Sequence, residues 1–137
     1  MSVVNELLRT EADNTLSFGN FELEQKSKLA DYEYQGDVYK VKTFKEITKL
    51  ERNGMFVYES VPGTAVTHFQ ETDERMQFQV EGMDDAQITV EAENGAEYKV
   101  SIDGINVGKV TANLGGKLVL SVELNPGKVV KVELVKQ

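Results

Sequence analysis

Along the second half of the chain, apolar residues recur at every second position. Met76, Phe78 and Val80 alternate with Gln77 and Gln79, and Ala86, Ile88, Val90 and Ala92 alternate with Gln87, Thr89 and Glu91. Tyr98, Val100 and Ile102 alternate with Lys99 and Ser101; Leu118, Leu120, Val122 and Leu124 form a further series, and Val130, Val132 and Leu134 the last. Successive side chains of a strand point to opposite faces, so a period of two implies one buried and one wet face, as in antiparallel sheets. The punctuation agrees. Asn94-Gly95 suits the two left-handed positions of a type I′ hairpin turn, and Asp103-Gly104 and Gly115-Gly116 are further turn sites. Asn125-Pro126-Gly127 places Pro and Gly at the two central positions of a type II turn.

The first half is less regular. Val3 to Thr10 and Leu16 to Leu23 read as a hairpin across Glu11-Ala12-Asp13-Asn14, with Gly19 at the point where the apolar parity switches, which is how a β-bulge reads. Tyr32 and Tyr34 precede a turn at Gln35-Gly36-Asp37, and Val38 to Thr43 follow as a strand. Residues 43–52 carry two patterns. Thr43 with Glu46 forms a capping box, and Phe44, Ile47 and Leu50 recur at helical spacing. Against this, Asn53-Gly54 is a strong hairpin signal that would pair Leu50 with Val57, and this second reading is preferred. Pro62-Gly63 then turns the chain into Thr64 to Phe69.

These patterns predict an all-β antiparallel sandwich of about ten short strands with at most one short helix. Two arrangements fit: an N-terminal β lobe over 1–72 with an Ig-like C-terminal sandwich lobe over 73–137, or a single sandwich in which the polar stretch Gln70 to Arg75 is a simple loop.

Length and charge narrow the functional classes. The 137 residues suffice for one compact domain or two small lobes sharing a core. With 15 basic and 23 acidic residues the formal charge is −8. Residues 1–72 carry 12 acids and 8 bases and residues 73–137 carry 11 and 7, so each half is −4 and neither hides a basic surface. Nucleic acid is therefore not an expected partner, because phosphate binding needs clustered Lys and Arg. Lys40, Lys42, Lys45 and Lys49 lie close together, but Asp37, Glu46 and Glu51 interleave with them, the pattern of a solvated mixed surface. No run approaches the ~18 apolar residues of a membrane span. The start of the chain has no signal-peptide pattern, which makes the cytoplasm the default location and membrane insertion unexpected.

Candidate chemistry is sparse. Without Cys there is no thiolate nucleophile, disulfide or zinc-thiolate site. The single histidine, His68, has no nucleophile motif beside it and reads as a hydrogen-bonded strand residue. Glu71, Asp73, Glu74, Asp84 and Asp85 supply acidic density without calcium-loop spacing, so no metal or cofactor is expected. Arginine-triad glycan chemistry on a propeller is out of reach: the chain holds only Arg9, Arg52 and Arg75, has no Trp, and is too short for six blades of ~40 residues. Among the aromatics, Tyr32 and Tyr34 share a strand face that Tyr39 can join across the turn. That trio is either part of a packed β core or a sugar-stacking surface.

Two resemblances add expectations. Tyr98 to Gly108 and Leu124 to Leu134, through Val100, Ile102, Asp103, Gly104, Val107, Gly108, Pro126 and Gly127, resemble the PEGA β-sandwich domain, although Lys109 to Gly116 is longer than in that family and lacks its Pro. The resemblance implies a β module without catalytic residues. Val41 to Glu51 and Phe56 to Thr64 are similar to a family of short clostridial proteins labelled endosialidase, and that likeness implies glycan hydrolysis.

The leading expectation is a non-enzymatic interaction or structural module, with Phe56, Tyr58 and Val61 as its contact surface. A carbohydrate-binding module using Tyr32, Tyr34 and Tyr39 is the alternative, and glycan hydrolysis a second one. The partner is an unidentified protein or carbohydrate, and self-association stays open.

Overall fold

A computed structural model describes residues 3–137. The strands are β1 (Leu8–Thr10), β2 (Leu16–Phe18), β3 (Ser27–Tyr34), β4 (Asp37–Phe44), β5 (Ile47–Arg52), β6 (Met55–Val61), β7 (Ala65–Glu71), β8 (Arg75–Glu81), β9 (Ala86–Glu91), β10 (Glu97–Ile102), β11 (Ile105–Thr111), β12 (Lys117–Val122) and β13 (Val130–Lys136). They form two antiparallel sheets packed as a sandwich. One has seven strands in the order β1-β2-β7-β8-β13-β10-β11, and the other has six in the order β12-β9-β6-β5-β4-β3. The fold class is all-β, with thirteen strands rather than about ten and no helix among the described residues. β1 and β2 fall within the expected first hairpin but have only three residues each, and β11 is an added strand whose residues, Ile105 and Val107 among them, are nearly all exposed. Also among the described residues, no helix is long and apolar enough to cross a membrane.

Three of the hairpins turn on a residue pair at positive φ. Gln35-Gly36, Asn53-Gly54 and Asp103-Gly104 have φ values of 50° and 81°, 53° and 80°, and 53° and 81°. This geometry matches the strand twist and joins β3 to β4, β5 to β6 and β10 to β11. Residues 43–52 thus take the hairpin reading: Lys45 and Glu46 turn between β4 and β5, and Asn53-Gly54 closes the next pair. The register differs by one residue from expectation. Leu50 pairs with Tyr58, not Val57, because a bulge between Leu50 and Glu51 leaves Val57 as an extra residue.

Asn94-Gly95 is not a hairpin turn. Only Gly95 has positive φ (75°), and the flanking strands β9 and β10 belong to different sheets, so the turn carries the chain between layers. Gly19 ends β2 instead of bulging a longer strand. Gln70 to Arg75 is the β7–β8 hairpin, in which β7 pairs with β8 from Ala65–Glu81 to Glu71–Met76. The Lys128 amide donates to the Asn125 carbonyl (3.1 Å) across Pro126-Gly127, as a type II turn requires.

One buried apolar cluster runs from Leu8 through Phe18, Leu50, Tyr58, Phe78, Ile88 and Val100 to Leu134. Its aromatic centre packs edge to face: the Phe18 ring lies 5.2 Å from Tyr58, and Tyr58 5.7 Å from Phe78. A polar layer is buried with it. The Thr48 hydroxyl donates to the Thr64 carbonyl (2.8 Å), so Thr43, 2.8 Å away, donates to Thr48. The Thr64 amide donates back to Thr48 Oγ1 (3.1 Å), and the Thr64 hydroxyl shares hydrogen bonds of 2.8 Å with both Tyr58 and Ser60. No buried side-chain polar atom among the described residues lacks a partner, as a core of this kind demands.

Candidate functional site

The ends of a sandwich are where its two sheets stop covering each other, and here one end is polar. Arg52 is the last residue of β5, at the inward-facing position that follows Thr48 and Leu50. Its Nη1 donates to Glu71 Oε1 at the end of β7 (2.9 Å), and its Nη2 donates to Glu91 Oε1 at the end of β9 (2.8 Å). One guanidinium therefore ties both sheets together. A cleft of ≈ 730 Å³ opens beside it, with Arg75, Glu93, Tyr98 and Lys136 on its walls. A second hollow of ≈ 340 Å³ lies on the other side, against Asp13, Asn14, Tyr34, Asp37, Tyr39 and Gln70. Arg52, Glu71 and Thr72 line both, so the two hollows adjoin along one grooved end of the sandwich, with the Arg52–Glu71 pair as their common wall.

The electrostatics follow from partial burial. Burial pulls the Arg52 guanidinium down, but hydrogen bonding to Glu71 and the neighbouring Tyr39 hydroxyl outweighs it, and the net shift is upward. Burial pushes the Glu71 carboxyl above its ordinary value, against the pull of Arg52 and with the nearby charges of Glu91 and Asp73 adding to the rise. Burial likewise raises Tyr39 and Tyr34. The groove mouth is held by ion pairs from Lys136 to Glu93 (2.8 Å) and from Arg75 to Glu133.

Tyr32, Tyr34 and Tyr39 do share a face, since Tyr32 and Tyr39 are direct cross-strand partners. That face points inward. Tyr39 is buried, and the Tyr34 ring meets it edge to face at 5.6 Å and 73°. The Tyr34 hydroxyl donates to the Asn14 carbonyl (2.6 Å), and Tyr32 shares a 2.8 Å hydrogen bond with Thr10. A flat exposed platform of three coplanar rings is thus absent; instead Tyr34 and Tyr39 form a wall of the groove.

Phe56, Tyr58 and Val61 do not form one surface. The β6 bulge that displaces Val57 puts Phe56 opposite outward-facing Glu51 and Tyr58 opposite inward-facing Leu50, although they are two residues apart. Tyr58 is 0% exposed, and burial pushes its hydroxyl far up, so it is a core residue. Phe56 is half-buried beneath the Lys117 ammonium, 4.7 Å from the ring centre. Val61 is 53% exposed and borders a hollow of ≈ 460 Å³ with Phe21, Pro62 and Met83.

His68 sits in a β7 bulge at φ 54°, and its Nδ1 lies 3.1 Å from Thr15 Oγ1 and 3.2 Å from Asp13 Oδ2. It ties the β1–β2 turn to β7. The sequence reading named Arg52 and Glu71 only as a lone arginine and part of an acidic stretch, and did not bring them together with Glu91. Arg52 carried a usable signal, a charged residue on the apolar parity of its strand immediately before a turn.

Comparison of the chain with protein-family models, curated proteins and solved structures gives no match.

Proposed function

We propose that the protein is a non-enzymatic binding module that holds a carbohydrate in the groove at the Arg52 end of the sandwich. The observation that carries this reading is the adjacency of two hollows that share Arg52, Glu71 and Thr72 as a wall. The groove combines fixed hydrogen-bonding groups (Arg52, Asp37, Asn14, Gln70) with the half-buried ring of Tyr34 and the edges of the buried Tyr39 and Tyr98. Sugars present hydroxyls at their rims and C–H faces between them, and such a wall meets both. Binding is favoured over hydrolysis because Glu71 and Glu91 engage the same guanidinium instead of facing each other across a substrate.

The test is a titration of neutral and acidic oligosaccharides followed by backbone amide NMR shifts. Shifts are expected around residues 34–39, 52–54, 70–73 and 91–93, the strand ends that border the groove. Thr72→Trp fills the groove from an exposed loop and should abolish them while leaving the unfolding midpoint unchanged. Shifts that persist in that variant, or a panel that produces none, would remove the proposal.

A further inference from the structure

A different part of the surface carries a separate signal. On the outer face of the six-stranded sheet, Lys28 of β3 pairs directly with Lys42 of β4, and Lys42 with Lys49 of β5. Three lysines therefore stand in one row across adjacent strands, at steps of about 4.8 Å and about 10 Å from end to end. Lys26 extends the cluster: its ammonium lies 5.8 Å from the centre of the Phe44 ring, one outward position beyond Lys42. The separation in sequence concealed this. Along the chain acids interleave with the lysines, but Lys45 is drawn away to Glu24 (2.8 Å) and Glu51 stands opposite Lys40.

Like charges directly opposite on a sheet repel and cost stability. Among the described residues, none of Lys28, Lys42 and Lys49 forms an ion pair. Partial burial and then the charges of Lys26, Lys49 and Lys28 pull the Lys42 ammonium below its ordinary value, with Glu51 acting in the opposite direction. In a chain with 23 acidic residues and a net charge of −8, a lysine row with no ion pair is the least expected arrangement if stability alone is at stake.

We propose that the Lys28–Lys42–Lys49 row is a binding site for a compact ligand bearing two or three phosphate or sulfate groups. Lysine suits this role as a flexible point charge with three donors, able to follow oxyanions on a flat sheet face where no rigid fork is preset. The extent of the row limits the ligand. Glu59 stands opposite Lys49, so a longer polyanion would meet a carboxylate on leaving the row toward β6, and at the other end Lys28 lies on the edge strand. The site is distinct from the Arg52 groove, which lies at the end of the sandwich and is lined by none of these lysines.

The experiment is calorimetry of the full chain with tripolyphosphate and, in a second arm, with a disulfated disaccharide, both at low ionic strength. At least one ligand should bind with one-to-one stoichiometry, and Lys42→Gln should weaken it about tenfold, the loss of one charge-assisted hydrogen bond. Lys128→Gln, in the exposed loop before β13, should leave affinity unchanged. The thermal midpoint of Lys42→Gln without ligand should equal or exceed that of the parent, since a repulsion is removed. The arm that binds names the source of the oxyanion. No binding in either arm, or equal affinity in Lys42→Gln, would each overturn the proposal.

Discussion

At the residue scale, Tyr58 is the instructive position. Its spacing from Phe56 suggests a shared face, yet its ring sits at the centre of the core, where its hydroxyl shares a hydrogen bond with Thr64. An aromatic with a polar tip is tolerated there because Thr43, Thr48, Ser60 and Thr64 form a fully partnered layer around it. Tyr58→Phe keeps the packing and removes one hydrogen bond. It should lower stability by about 1 kcal/mol, measured by urea unfolding. A loss indistinguishable from zero would mean that the Thr64–Ser60 contact alone satisfies the layer.

At the element scale, bulges and close crossings decide where side chains point. The β6 bulge turns Phe56 outward and Tyr58 inward. The β7 bulge sets His68 at positive φ toward Asp13, and the β3 bulge places Asp31 at φ 59° while restoring Tyr32 to the face of Tyr39. Where β6 leaves its sheet for β7, Gly63 passes so close to β4 that a Cβ there would meet the Phe44 carbonyl oxygen at 2.0 Å. Backbone, not a movable side chain, forms that contact. Gly63→Ala should therefore destabilise the protein by roughly 3 kcal/mol, the upper range for forced overpacking. Gly36→Ala, at a turn with open space around it, should act only through its positive φ and cost less. Comparing the two unfolding midpoints checks the assignment, and equal losses would count against it.

At the scale of the whole molecule, both sheets draw strands from residues 1–72 and 73–137: β7 pairs with β8 in one, and β6 with β9 in the other. The Arg52 bridge joins these sheets at their open end, and its cost is visible in Glu71. A carboxyl raised in the folded state makes that state hold its proton more tightly than the unfolded chain does. Its contribution to stability is therefore largest below the ordinary value of 4.5 and falls as pH rises through the raised value. Glu71→Gln removes this dependence. The stability of the parent relative to the variant should decline as pH increases from about 4 to 7, followed by denaturant unfolding at fixed ionic strength. A flat difference would show that the Glu71 carboxyl titrates alike in the folded and unfolded chains, and a rising one that the pull of Arg52 outweighs burial.

How much of this was legible follows from the range of each interaction. Strand identity and the Asn53-Gly54, Asp103-Gly104 and Pro126-Gly127 turns depend on neighbours in the chain, through alternation of apolar residues and the φ demands of two residues at a time. These the sequence determined by itself, together with the all-β class and the want of thiol chemistry. Register, bulges and the assignment of strands to sheets depend on partners far apart in sequence. That is why Asn94-Gly95 looked like a hairpin yet crosses between layers, and why Tyr32, Tyr34 and Tyr39 share a face that turned out to be the inner one. Tertiary structure alone brought Arg52 to Glu71 and Glu91, because strand ends distant in the chain meet only where two sheets close. It alone aligned Lys28, Lys42 and Lys49 in one row, because cross-strand neighbours are chosen by pairing and not by sequence distance.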